Sequence, residues 1–168
     1  MTNFNIRRIT KHLLTTHNEL RRVFPPLSLQ AIEQAIKASE SSHLGEIRFV
    51  VEAALECGPL IRGQTARARA IDVFSQLHIW DTAHNNGVLI YLLLADRDVE
   101  IVADRGIHTR TSSDEWEQIC RMMESAFKLE QYEQGAIRGI QAVSQHLTKH
   151  FPVNGDNLNE LPDAVVIL

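Results

Sequence analysis

Residues with oxygen-bearing side chains lie on both sides of one apolar segment of the chain. Asp81, Asn85 and Asn86 precede the segment, and Asp104 follows it. Carboxylate and amide oxygens are the hard ligands that Ca²⁺ and Mg²⁺ bind in proteins. If the intervening residues form a hairpin, its two ends lie side by side and the four side chains can reach one ion. The pattern therefore predicts a calcium or magnesium site, and the alternative is that Asn85 and Asn86 only form a turn.

A second set of charged residues falls on two predicted strands. Residues 45–54 alternate between apolar and mostly polar side chains, which is the period of a strand with one dry face. Paired carboxylates beside an arginine can supply acid–base chemistry to a phosphate. An ion-pair ladder between neighbouring strands is the alternative interpretation. The set comprises Glu46, Arg48, Glu52, Glu100 and Arg105, and the candidate catalytic residues are Arg48, Glu100, Asp104 and Arg105.

The apolar segment between the predicted metal ligands has the composition of a central strand. Residues 88–95 read VLIYLLLA and carry no charge, which is typical of a strand covered on both faces. A tight turn and the alternating residues 99–104 follow, so the two strands should form a β-hairpin. One face of the first strand should carry Leu89, Tyr91 and Leu93, and the other face Val88, Ile90 and Leu92.

Helical patterns surround these strands. Apolar residues recur at helical spacing in five segments, and the order of elements is α-α-β-α-β-β-α-α. Ser28 is the expected N-cap of the second helix, and Ser112 or Ser113 that of the fourth. This order predicts a three-layer α/β/α sandwich, in which a small mixed sheet has helices on both faces. The helical segments are 4–24, 29–42, 64–80, 112–129 and 130–151.

Composition limits the classes of function. The chain has 168 residues and a net charge of -4, so one domain is expected and nucleic acid is not an expected partner. It contains no P-loop and no GxSxG motif, and no organic cofactor is expected. No apolar run reaches the roughly 18 residues of a transmembrane helix. The first twenty residues lack the apolar core of a signal peptide, and we expect a cytoplasmic protein.

The two ends of the chain differ in charge from its centre. We expect a basic helical arm over residues 1–26, a domain over 27–151 and an acidic tail over 152–168. The arm, at residues 4–24, could bind a partner protein or a membrane surface, which would make the protein membrane-associated. Folding back onto the domain is the favoured alternative, because it hides the large apolar side chains of the arm. The basic residues of the arm are Arg7, Arg8, Lys11, Arg21 and Arg22, against the single acid Glu19.

Several short motifs in a fixed order connect the chain to a known family. Over about residues 27–149 the sequence resembles the TPM domain, whose members have a tryptophan, a DNG loop, a long apolar strand, a glycine motif and a Y-x-x-G-x-x-x-G helix. The resemblance implies an α/β/α sandwich, a divalent-cation site near the DNG loop, often for calcium, and a proposed phosphatase activity. The corresponding residues here are Trp80, Asn85-Asn86-Gly87, Arg105-Gly106, Phe127, Tyr132, Gly135 and Gly139.

The chain departs from the family pattern where acids are expected. Asn85 replaces the aspartate of DNG, Val102 replaces an acid, and Asp104 replaces the first glycine of the glycine motif. Acids occur instead at neighbouring positions, and Asp81, Glu100 and Asp104 are the candidates to replace the missing acids of the family pattern. We predict a non-enzymatic interaction module with a divalent-cation cleft at the sheet end. The alternative is a metal-dependent phosphatase or hydrolase that acts on phosphate esters.

Overall fold

One four-stranded sheet organises the chain. The structure is a computed structural model that describes residues 6–153 and 158–168. The strand order is β3-β2-β1-β4; β1 is parallel to both of its neighbours, and β2 and β3 are antiparallel. The predicted hairpin is therefore present, and the sheet is mixed. The strands are β1 (Glu46–Glu52), β2 (Gly87–Leu93), β3 (Asp98–Ala103) and β4 (Val166–Ile167).

Helices cover both faces of this sheet, which confirms the predicted three-layer sandwich. One face packs against α3, α7 and α8, and the opposite face packs chiefly against α5. No helix in the described part of the chain is both long enough and apolar enough to cross a membrane. The helices are α1 (Ile6–Leu14), α2 (His17–Val23), α3 (Pro26–Ser39), α4 (Cys57–Ile61), α5 (Ala66–Gln76), α6 (Arg105–His108), α7 (Ser113–Lys128) and α8 (Tyr132–His150).

The central strand β2 separates two apolar cores, as its sequence predicts. All of its residues are buried. The side of α3, α7 and α8 receives Val88, Ile90 and Leu92, whereas the side of α5 receives Leu89, Tyr91 and Leu93. Alternation along one strand thus supplies both cores, because successive side chains point to opposite faces.

Of two predicted helix starts, one is wrong and one is confirmed. Helix α3 begins at Pro26, with Pro25 as its N-cap, so the predicted cap Ser28 is wrong. A proline fits the first helical position because its missing N–H has no intrahelical partner there. Ser112 caps α7 in a full capping box, with Glu115 as the reciprocal partner. With Ser113 as the cap, Trp116 would occupy the third position and no capping box could form.

The N-terminal segment is a pair of short helices that pack on the sandwich. Leu20 and Phe24 belong to the core on the α3 side and are fully buried. Arg8 donates to Asp96 across a distance of 2.9 Å, and the ring of His12 accepts from the backbone N–H of Leu55 at 3.0 Å. The predicted helical segment 4–24 also includes residues 4 and 5, which lie outside the described residues.

The C-terminal segment returns to the sheet. Strand β4 pairs in parallel with the middle of β1, on the side away from β2. The predicted tail 152–168 includes residues 154–157, which lie outside the described part. Upstream of β4, the backbone N–H groups of Glu160 and Leu161 donate to the carboxylate of Glu46, at 3.1 and 3.2 Å. The segment therefore covers the free edge of β1.

Candidate cation site at the hairpin end of the sheet

The loop before β2 is held tightly against the rest of the sheet. The hydroxyl of Thr82 accepts from the backbone N–H of Asn86 at 3.1 Å. The side-chain amide of Asn86 donates to the carbonyl of Leu44, just before β1, at 2.8 Å. Asn86 has no exposed surface. A residue predicted as a turn former thus serves as a buried link between the loop and β1.

Two glycines allow backbone segments to meet here. A Cβ on Gly87 would lie 2.0 Å from the carbonyl oxygen of Ile79, and one on Gly106 would lie 2.5 Å from that of Asn85. The N–H of Gly106 donates to this same Asn85 oxygen at 2.8 Å. Asn85 itself has a left-handed backbone, with φ of 51°, which asparagine tolerates better than most residues. The Asn-Asn-Gly motif is therefore required by close approach as well as by the turn.

Asp104 joins the end of β3 to the start of β2. Its backbone N–H donates to the carbonyl of Gly87 at 2.9 Å, which places it opposite Gly87 in the hairpin register. Its Oδ1 accepts from the N–H of Arg105 at 2.7 Å, at the N-cap of α6. One carboxylate oxygen therefore has a structural role, and the other is left for a different partner.

Two oxygen atoms at this end of the sheet lack hydrogen-bond partners. They are Oδ1 of Asn86 and Oδ2 of Asp104, and both atoms are shielded from solvent. A buried polar atom without a partner costs about 1–3 kcal/mol, and nearly all such atoms in folded proteins have one. A cation at either oxygen would supply a missing partner, and both oxygens are of the hard type that divalent ions such as calcium bind.

The other two predicted ligands have different surroundings. The Oδ1 of Asn85 accepts from the guanidinium of Arg105 at 3.2 Å. This oxygen therefore already has a positively charged partner within the protein. Asp81 is exposed, and its carboxylate has no hydrogen bond or ion pair with another described residue. No group of three or more His, Cys, Asp or Glu side chains in the described residues could hold a metal. The structure thus places the backbone of residues 85–87 against that of residues 104–106 and leaves Asp81 at the surface.

The predicted second set of charged residues is divided among separate contacts. Glu52 receives two hydrogen bonds, from the hydroxyl of Tyr91 at 2.6 Å and from Arg69 at 2.8 Å. Glu100 forms an ion pair with Arg67 of α5 at 3.4 Å. Two further members are placed elsewhere, Glu46 under the C-terminal segment and Arg105 beside Asn85. These side chains therefore do not form one cluster, although each acid has a polar partner.

A buried acidic cluster surrounds Arg48. Burial raises the pKa of Glu40 to about 8, and the charges of Glu46 and Asp163 raise it further. The carboxyl groups of Glu40 and Asp163 also hydrogen-bond, which requires a proton on one of them. Burial lowers the pKa of Arg48, while the nearby carboxylates oppose this shift. The C-terminal segment covers the cluster, so Arg48 is not available at the cation site.

Some of these residues could not be identified from the sequence pattern. Glu40 ends a helix and Asp163 lies in the tail, and neither falls in a motif. Tyr91 carried a signal, because a buried tyrosine in an otherwise aliphatic strand needs a partner for its hydroxyl. The sequence pattern gave no signal for Thr82, since a hydroxyl in a polar loop has many possible roles.

Comparison with known proteins agrees with this fold. The TPM domain family model matches residues 18–146, and no curated protein matches the chain. The chain is similar to the BA42 protein of the psychrophilic bacterium Bizionia argentinensis, whose NMR structure is 33% identical, with a TM-score of 0.74 over 83% of this chain and 92% of that chain. The N-terminal domain of a P. gingivalis protein shares the fold at 21% identity, with a TM-score of 0.59 over 77% of this chain and 82% of that chain. The chain belongs to the TPM domain family.

Proposed function

We propose that this chain is a non-catalytic binding module that holds a divalent cation at the hairpin end of its sheet. The observation that carries the proposal is the pair of buried, unpartnered oxygens on Asn86 and Asp104. Both are hard ligands, and calcium or magnesium is therefore expected in preference to zinc. Asn85 would stay with Arg105, and Asp81 would reach the ion only if the loop moved.

A site with two protein oxygens leaves most of the coordination sphere open. Ca²⁺ takes six to eight oxygen ligands, and Mg²⁺ takes six. Water would fill the remaining positions, or an acidic group of a binding partner would replace some of the water. The ion would then link the module to a carboxylate or phosphate of that partner, which is the role we assign to it.

Catalysis is the less favoured function because the candidate catalytic side chains lie apart. Arg48 is buried under the C-terminal segment, and Glu100 of β3 forms an ion pair with Arg67 of α5. Arg105 is exposed beside Asp104, where it could contact a phosphate, but its guanidinium already donates to Asn85. These positions favour phosphate or carboxylate binding over phosphate-ester hydrolysis.

A thermal titration with metal ions tests the cation site. If the calcium concentration is ten times Kd, binding to the native state adds about 1.4 kcal/mol of stability. For a chain of this size the melting temperature should then rise by about 3–6 °C. Sodium chloride at equal ionic strength serves as the control for general salt effects. A melting temperature that does not change with calcium, magnesium or manganese would refute the site.

Isosteric variants identify the ligands. Asp104→Asn removes a charge and keeps a residue that caps helices well, so it should remove the metal-induced shift with little loss of basal stability. Asp114→Asn removes an exposed aspartate of α7 and should keep the shift. If both variants respond equally to calcium, the ion binds elsewhere. Release of phosphate from an aryl phosphate by the wild type, with loss in Asp104→Asn, would instead support the hydrolase.

A further inference from the structure

A groove of about 480 Å³ follows the outer edge of the sheet. Strand β3 is the last strand on this side, and the groove lies between it, α7 and the Arg67 side chain of α5. Both helices pack against β3, so the groove has a floor and two walls. An open sheet edge is a surface on which another extended chain can pair.

The backbone groups of β3 at this edge are held by side chains instead of by a strand. The N–H of Val99 donates to Glu124 of α7 at 3.3 Å. The carbonyl of Ile101 accepts from Arg67. Each of these side chains comes from a neighbouring helix, so an incoming strand could replace it without breaking the sheet.

Acidic side chains outnumber basic ones around the groove. Both arginines are already paired, Arg67 with one glutamate and Arg121 with another. Asp98 and Glu124 form no ion pair with another described residue. Burial raises the pKa of Asp98 to about 6, and the nearby acids Glu100, Glu124 and Asp96 add to the shift. The acids that line the groove are Asp98, Glu100, Glu117 and Glu124, and the basic residues are Arg67, Arg121 and His108.

Trp116 supplies an independent sign of a missing partner. Its side chain lines the groove and is more than nine-tenths buried. Its indole Nε1 is shielded from solvent and has no hydrogen-bond partner in the described residues. The indole N–H can only donate, so an acceptor such as a peptide carbonyl would satisfy it once the ring turned toward the groove.

We propose that this edge groove binds an extended, lysine- or arginine-rich segment of a partner protein, which adds to β3 as a further strand. Main-chain pairing would supply affinity, and the basic side chains would select the partner through Asp98 and Glu124. A second copy of this chain fits poorly, because its own β3 would place acids against acids. The groove is separate from the cation site, so either proposal can fail alone.

Titration with a designed peptide tests this inference. The probe is a short peptide of alternating lysine and valine, added to the ¹⁵N-labelled full chain. We expect amide signals of Val99 and Ile101 to shift, with an affinity that falls as salt is added. The double variant Asp98→Asn/Glu124→Gln should bind at least about tenfold more weakly. Glu33→Gln/Glu56→Gln removes two acids away from the groove and should bind as the wild type does.

Two further ligands separate strand pairing from simple charge attraction. The same peptide with alternate residues N-methylated keeps its charge but cannot pair along one edge, and it should not bind. Spermidine carries amines without a peptide backbone, and it should not shift the β3 amides. Equal binding of either ligand, equal binding by the Asp98/Glu124 variant, or no binding of the lysine–valine peptide at millimolar concentration would overturn the proposal.

Discussion

The hydroxyl group of Tyr91 offers a direct test of how the sandwich holds a buried charge. Tyr91 lies in the middle of β2 with no exposed surface, and its hydroxyl donates to Oε2 of Glu52 at 2.6 Å. The same oxygen accepts from Arg69 at 2.8 Å. Burial raises the pKa of Tyr91, and the neighbouring Glu52 carboxylate raises it further, so the tyrosine stays a neutral donor. Tyr91→Phe keeps the ring and removes this one hydrogen bond.

The size of the expected effect follows from these contacts. A hydrogen bond to a charged group contributes about 1.5–3 kcal/mol. Arg69 remains beside Glu52 in the variant, so the loss should lie near the lower end, at about 1.5–2 kcal/mol. Urea denaturation should show a lower midpoint with an unchanged m-value. The melting temperature should fall by about 3–8 °C.

A matched tyrosine provides the control. Tyr132 is half-buried, its ring stacks on Phe127 with centroids 5.3 Å apart, and its hydroxyl makes no hydrogen bond with the described residues. Tyr132→Phe should change the free energy of unfolding by less than about 0.5 kcal/mol. A double-mutant cycle of Tyr91→Phe with Glu52→Gln should give a nonzero coupling energy. If Tyr91→Phe matches the control, or if the coupling is absent, the hydroxyl does not stabilise the buried carboxylate.

Three further perturbations test other parts of the structure. Because folding raises the pKa of Glu40 from 4.5 to about 8, the native state holds a proton that the unfolded state has lost. Stability should therefore fall as pH rises from about 5 to 8, by at most about 1.4 kcal/mol per pH unit. Glu40→Gln should flatten this slope in urea denaturation at several pH values, and a slope equal to that of the wild type would contradict the assignment. Gly106→Ala should destabilise the fold by about 1–3 kcal/mol, whereas Gly58→Ala, whose new Cβ would lie 3.5 Å from the nearest atom, should change stability little. Deleting residues 1–24 should lower the melting temperature, because it removes buried Leu20 and Phe24; an unchanged melting temperature would show that the arm does not stabilise the domain.

The sandwich was predictable because its pattern is local and repeated. Continuous apolar residues in β2 and alternation in β3 are one-dimensional signals, and both are strong in this sequence. The burial of β1 is less evident, since Glu46, Arg48 and Glu52 read as a polar face. In the structure all three are buried, because α5 and the C-terminal segment supply partners from distant parts of the chain. Such partners follow from topology, which alternation alone does not specify.

The cation site was only partly predictable for the same reason. The hairpin brought the backbone of residues 85–87 against that of residues 104–106, as expected from the strand lengths. The sequence could not show that Arg105 would donate to Asn85, or that Asp81 would point to solvent. Both outcomes depend on the left-handed turn at Asn85 and on the close approach of Gly106. These are details of backbone geometry, which the pattern of residue types along the sequence does not specify.

The distribution of satisfied and unsatisfied polar groups indicates which parts of the sheet are available for binding. On the β1 side, Glu46 accepts from two backbone N–H groups of the C-terminal segment, and Glu52 accepts from Tyr91 and Arg69. Both carboxylates therefore already have hydrogen-bond partners within the fold, and β4 pairs with the edge of β1 beside them. Buried atoms without partners occur on both sides, at Nη1 of Arg48 on β1 and at two oxygens and an indole N–H around the β2–β3 hairpin. On the hairpin side, however, only side chains hold the open edge. Since an open sheet edge is a surface on which another chain can pair and β3 is an edge strand, ligands for this module should bind on the hairpin side of the sheet.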